Sequence, residues 1–451
     1  MARTTARALL VNSTALLLSA SGLPASGAAA PPGTASLMAL SVSCDTPTTP
    51  FCNSTVSPPT GWQGHLFQLS QNYPATAPAP EAGPWLQFDP MTQPLDYSRA
   101  VLAYFYEGNI RPDIDDSFNP SLNTVRRWYN APWQDQGFNG REPIHGLTRE
   151  RVNLPGELHR CQTHAWNNYA VGFYNSPGAF TLGRIWQNHG QPDPTMATMP
   201  EGTVAAKLLF TTASDAEVPY LAGSPTWPAY IYAQVNARNP GSARAVVPVR
   251  LLQIDIAVKD QRAPLGWVFG TFVYGGGPQD NPSAPCPQAG PSPAGANWTN
   301  VQPVGLMWGN DPNHTGSAPL TETWLNPAVQ MPHVGWQNRL NGPVDNPISS
   351  CMSCHSTAQW RNAAGMIPSP TGNPFWFRNV PAGTAFGVPQ GQTPPNPPPV
   401  SLDYSLQVQV GIANFTAARA ASNPQTPLTV RRRLIRTLND TRSPRDGAPT
   451  H

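Results

Sequence analysis

Cys351 and Cys354 stand three residues apart, and His355 follows the second, in NPISSCMSCHSTAQW (Asn346–Trp360). On a helix, positions i and i+3 share a face and the next residue lies close to it. Two thiols so placed match the two vinyl groups of a haem, and the adjacent histidine can ligate its iron. Two other chemistries use part of the same pattern. A redox dithiol belongs at a strand-to-helix turn of an α/β unit, and the sequence shows none. A zinc site needs two more close ligands. The motif therefore predicts one covalently attached haem c. Cys351 and Cys354 form its thioethers, and His355 is the proximal axial ligand, oriented by a hydrogen bond from its other ring nitrogen.

The far side of the iron is less determined. Met366, eleven residues after His355, is the only later methionine, and the only later histidine is His451. Met366 is the possible distal ligand, set against a packing role for an adaptable thioether. His145, His159, His164, Met307 and His333 are upstream alternatives, each more at home in structure or on the surface. His159 and His164 are five apart, which does not place them on one helical face. Arg339 could neutralise a haem propionate through its planar fork. Trp267 and Phe269 could line the haem face or serve as ordinary sheet core.

The elements that must position these groups are partly legible. Pro347 precedes the motif, Ser349 or Ser350 can cap a helix, and Gly365 can stop it, with Pro368 beyond. The clearest strands lie between 202 and 275: Thr203–Ala213, Ala229–Val235, VRLLQIDIAVKD and GWVFGTFVYGG. In VRLLQIDIAVKD, Leu252, Ile254, Ile256 and Val258 share one face, while Gln253, Asp255 and Lys259 lie largely on the other. A period of two argues for a half-buried strand, and short links argue for antiparallel pairing. DYSRAVLAYFYEGN reads as a short helix stopped at Gly108, and DYSLQVQVGIANFTAARAA as another. Residues 276–300 and 388–399 are Pro/Gly-rich loops. The expected fold is α+β and β-rich: an antiparallel sheet core, a C-terminal haem-bearing helix and long Pro/Gly-rich loops.

Composition sets the context. The chain has 451 residues, of which 12% are charged, with 55 prolines and 37 glycines; a typical soluble protein is about 25% charged. Arg3 and Arg7 precede the apolar stretch ALLVNSTALLLSASGL, and ASGAAA offers small residues for cleavage, so residues 1–30 are expected to be a signal peptide. Their removal takes the formal charge from +2 to zero, leaving no global field to attract nucleic acid. No other segment approaches about 18 uninterrupted apolar residues, so no transmembrane segment is expected. Export implies a periplasmic or secreted protein and a disulfide-permissive compartment. ASLMALSVSC, ending at Cys44, faintly resembles a lipoprotein site, the lesser alternative. Of the four remaining cysteines, Cys44 with Cys52 and Cys161 with Cys286 is the preferred pairing of three. Beyond residue 30, the expected divisions are an irregular Pro/Ser/Thr-rich arm (31–95), a β-rich haem c domain (96–372), and a Pro-rich loop, helix and basic tail (373–451). The tail carries six arginines against two aspartates in RRRLIRTLNDTRSPRDGAPTH.

The order of parts resembles the cytochrome P-460 and cytochrome c′-beta family over roughly residues 195–357. MPEGTVAAK (Met199–Lys207) is similar to that family's Pro-Asp/Glu-Gly strand entry, VRLLQIDIAVKD and GWVFGTFVY to its next two strands, and CMSCH closes the series. The resemblance implies an antiparallel β fold around a c-type haem, commonly with an open distal side, and in some members hydroxylamine oxidation or nitric oxide binding. P-460 members also crosslink the haem to a lysine before the Pro-Asp/Glu-Gly element. The only lysines here, Lys207 and Lys259, lie at or after that element, so the crosslink does not carry over. Two functions follow. One is an exported monohaem cytochrome exchanging electrons with a redox partner protein. The other is a haem enzyme or gas-binding protein whose vacant iron site takes a small nitrogen or oxygen species. A structural or adhesive surface protein is a third, lower-ranked reading.

Overall fold

The alternating segments become one antiparallel sheet. The protein is described from a computed structural model, which covers residue 51, residues 59–61 and residues 69–422, less 112–114, 135–146, 236–242, 276–284, 287–296, 330–333 and 363. The expected signal peptide, most of the arm, Cys44, Cys52, His145, His333 and the basic tail lie outside those residues. A short ribbon, β1 (Ile110–Arg111) with β2 (Asp115–Phe118), precedes the sheet. The sheet contains β3 (Leu147–Arg149), β4 (Asn168–Tyr174), β5 (Val204–Thr211), β6 (Thr226–Tyr232), β7 (Arg244–Lys259), β8 (Trp267–Tyr274), β9 (Val301–Met307) and β10 (Thr323–Leu325). Its order is β10-β9-β8-β7-β5-β4-β3, with β6 paired to the first half of the long β7.

Both faces of the sheet are covered. On one, Ile254, Ile256 and Val258 of β7 join Val268 and Phe272 of β8 and Val171 and Phe173 of β4 in a core closed by α1 (Pro94–Tyr106). Helix α1 starts with proline, tolerated where the first turn leaves N–H groups unbonded, and the chain turns away at Gly108, whose φ of 73° suits glycine. Each large apolar side chain buried here contributes about 1.5–3 kcal/mol.

The other face carries α2 (Ser176–Ile185), α3 (Cys351–His355) and α4 (Leu406–Ser422). Val408, Ile412 and Phe415 of α4 recur at helical spacing and pack with Phe269 and Met352 into the second core. Residues beyond 372 therefore contribute to the core of the second face. Helix α3 is far shorter than expected. The sequence allows a helix to Gly365, but it ends at His355 and the chain pairs as β11 (Gln359–Trp360) with β12 (Val400–Ser401). Ser356 and Thr357 explain the stop: their hydroxyls donate to the Ser353 and Cys354 carbonyls, at 3.4 and 2.7 Å. Such bonds compete with helix propagation, and the strand partner at Val400 takes over.

Cys161 and Cys286 form a disulfide with Cα atoms 5.6 Å apart, the pairing preferred from the sequence. No helix among the described residues is long and apolar enough to cross a membrane.

Candidate functional site

Helix α3 stands over the second face of the sheet because its start is fixed three ways. Ser350 and Ser353 form a reciprocal capping box, with bonds of 3.1 and 2.7 Å. The Ser350 hydroxyl reaches Asn310 Oδ1 at 3.2 Å, and the Cys351 N–H donates to the Leu340 carbonyl at 3.0 Å. The result presents Cys351, Cys354 and His355 to one cavity of about 180 Å3.

Both thiols are free. Burial pushes the Cys354 thiol up to about 12; burial, then the nearby Asp255 and Asp345, raise that of Cys351. Neutral thiols are unsuited to the thiolate attack on which a redox dithiol depends. Among the described residues no group of three or more His, Cys, Asp or Glu side chains could hold a metal ion, so the zinc alternative lacks its remaining ligands there.

The His355 ring is oriented from 49 positions downstream. Its Nδ1 lies 2.9 Å from the Tyr404 carbonyl oxygen, which only accepts, so Nδ1 carries the proton and Nε2 keeps its lone pair. Burial pulls the imidazole pKa down to about 4, keeping the ring neutral near pH 7. The Phe269 ring packs against it, centroids 4.8 Å apart.

The strands supply a charged wall. Lys207, Asp255 and Thr271 are in-register neighbours across β5, β7 and β8, and all three line the cavity. Lys207 Nζ pairs with Glu150 at 3.0 Å. Gln253 donates to Asp255 and also to Asp345, from the loop before α3. Burial first, then Asp345, pushes the Asp255 carboxyl up to about 7, and burial likewise raises Asp345. Sequence reasoning missed this wall as a site. Its one sequence signal was the placement of Gln253 and Asp255 on the polar side of β7.

Of the residues singled out from sequence, Met366 and Phe269 join the motif at the cavity. Trp267 does not line it; its Nε1 donates to Asp403 at 3.0 Å. Met307 is buried beneath α3, 3.5 Å from the Met352 nitrogen. His159 and His164 do not line the cavity: one accepts from the Cys161 N–H, the other meets Glu217. Arg339 must be corrected. It is buried, and its Nε and Nη2 donate at 2.7 Å to the carbonyls of Asn310 and Asp311. With its guanidinium stacked 4.7 Å over Phe377 and its donors used by loop backbone, it shapes the segment leading to α3 and does not reach the cavity. No family model, curated protein or solved structure matches the chain.

Proposed function

We propose that this chain is an exported monohaem c-type cytochrome that carries electrons in the periplasm or outside the cell. The observation that carries the reading is the convergence of two free thiols and one tautomer-fixed imidazole on a single short helix facing one cavity. The donor set fits: Cys351 and Cys354 for the thioethers, and His355 Nε2 for the iron. A haem bound there supplies an iron that changes oxidation state by one electron. The chain's own residues do the rest. The Tyr404 carbonyl holds the imidazole in place, Phe269 shields it, and Met366 is the candidate distal ligand. Arg149, Arg151 and Lys207 line the cavity, and because Arg151 and Lys207 are already paired with Glu157 and Glu150, a propionate there would share them with those carboxylates.

The test is covalent attachment. Produced in a host that makes c-type haem proteins, the wild-type chain keeps haem through denaturing electrophoresis, and Cys351→Ala with Cys354→Ala loses it. A wild-type chain without bound haem ends the reading. The charged wall of Lys207, Asp255 and Asp345 favours a second reading, a P-460 or c′-beta-like haem protein with an open iron site for a small nitrogen or oxygen species. Carbon monoxide separates the two. A six-coordinate carrier keeps a low-spin ferrous spectrum unchanged by the gas, and Met366→Ala makes it responsive. A high-spin wild-type haem that binds the gas readily selects the second.

A further inference from the structure

Two of the carboxylates on the cavity wall, Asp255 and Asp345, have no task in the electron-carrier reading. Gln253 is fully buried on β7. Its Nε2 donates to both oxygens of Asp255, 2.9 Å each, and to Asp345 Oδ2 at 3.0 Å. Its Oε1 accepts from the Val344 N–H at 3.1 Å, which fixes the amide's orientation. Three carboxylate oxygens thus converge on one nitrogen that carries two hydrogens. Two like charges held so close to a single neutral donor favour binding one proton on the pair.

The surroundings leave this charge incompletely compensated. Lys207 on β5 is paired with Glu150, and Arg151 Nη1 reaches both oxygens of Glu157 at 2.9 and 2.8 Å. The other ionisable groups facing the cavity are Arg149 on β3 and Cys351, Cys354 and His355 on α3. The thiols and the imidazole are neutral near pH 7, and neighbouring carboxylates hold Lys207 cationic. A hydroxyl links the pair to the motif: Thr271 Oγ1 donates to Asp255 Oδ1 at 3.1 Å and lies 3.6 Å from Cys351 Sγ.

We propose that Asp255 and Asp345 form a proton-sharing pair that takes up a proton when the cavity gains an electron and releases it when the electron leaves. The inference rests on the haem reading above. An electron from the redox partner lowers the charge of the cavity by one. A proton from solvent then forms one O–H bond on the pair and restores it, and oxidation reverses both. The upward displacement of both carboxyls, Asp255 to about 7, puts the exchange near neutral pH.

The test is the midpoint potential of the haem-loaded protein as a function of pH, with redox-difference infrared spectra. In the wild type the potential falls as pH rises through neutrality, with a slope approaching one proton per electron, and reduction brings up a carboxylic acid band. Asp255→Asn and Asp345→Asn each flatten the slope and remove the band, while the visible spectrum keeps its shape. A pH-independent wild-type potential overturns the proposal, as does a slope that survives in both variants, which would assign it to the propionates. A second arm needs no haem: an infrared pH titration of the purified chain shows a carboxyl protonated at neutral pH in the wild type and not in either variant. Absence of that band overturns the proposal by itself. Absence of covalent haem with the band present instead sinks the electron-carrier reading.

Discussion

The two faces of the sheet are made by the same strands and differ in almost everything else. On the α1 face, Phe105, Phe118, Phe173 and Trp128 meet mostly edge to face, and Phe105 and Phe118 each lie 5.5 Å from Phe173. The other face presents Lys207, Asp255 and Thr271 to a cavity, with Gln253 buried behind them. Aromatic packing of the first kind stabilises with little chemical consequence. Partly buried carboxylates of the second kind oppose folding unless paired or protonated. The sheet thus uses one face for stability, which lets the other hold groups whose ionisation is displaced.

Perturbing each face should give different signatures. The largest stability effect belongs to the packed face: Phe173→Ala lowers unfolding free energy by about 3–5 kcal/mol, measured by denaturant titration. A loss below about 1 kcal/mol would mean that the aromatic cluster does not dominate the fold. The disulfide comes next. It closes a loop of 125 positions, and replacing Cys161 and Cys286 by serine should cost about 2–4 kcal/mol, measured by denaturant titration. The smallest effect lies on the cavity face and depends on pH. A carboxyl with a raised folded-state pKa adds stability below its unfolded value, and that stability is lost as pH rises through about 7. Discounted for the partial exposure of Asp255, the gain of Asp255→Asn on the wild type should be about 2 kcal/mol between pH 4 and 7. Subtracting the wild-type profile cancels the opposite trend expected of His355, whose lowered pKa makes stability rise with pH above about 4 in the haem-free chain. An Asn variant whose profile parallels the wild type would show that the two faces do not differ in this way.

What the sequence disclosed follows from how local each signal is. The alternation in β7 and β8 and the apolar spacing of α1 and α4 are carried by neighbouring residues, and those elements stand where they were expected. The grouping of Cys351, Cys354 and His355 at one cavity was readable because it fits within five residues. The row Lys207, Asp255 and Thr271 was not, because it depends on the pairing of three strands, and register is invisible until they meet. The end of α3 was misread for a similar reason: Gln359 and Trp360 pair with a strand some forty residues later. Arg339 looked available because no local signal shows that distant loop carbonyls occupy its guanidinium.

Asp403 sits just before the carbonyl that orients His355. It is buried and gathers Lys259 Nζ at 2.8 and 2.9 Å, Trp267 Nε1 at 3.0 Å and the Met199 N–H at 2.8 Å. Those bonds offset the cost, about 1–2 kcal/mol each, of holding Asp403 and Tyr404 in the left-handed region at φ 48° and 67°. The consequence is temporal. During synthesis, the cysteines and histidine of α3 emerge well before the turn that aims the imidazole, so the motif exists as a sequence before it exists as a site. A fragment ending between His355 and Tyr404 carries all three motif residues and lacks the carbonyl that sets their histidine.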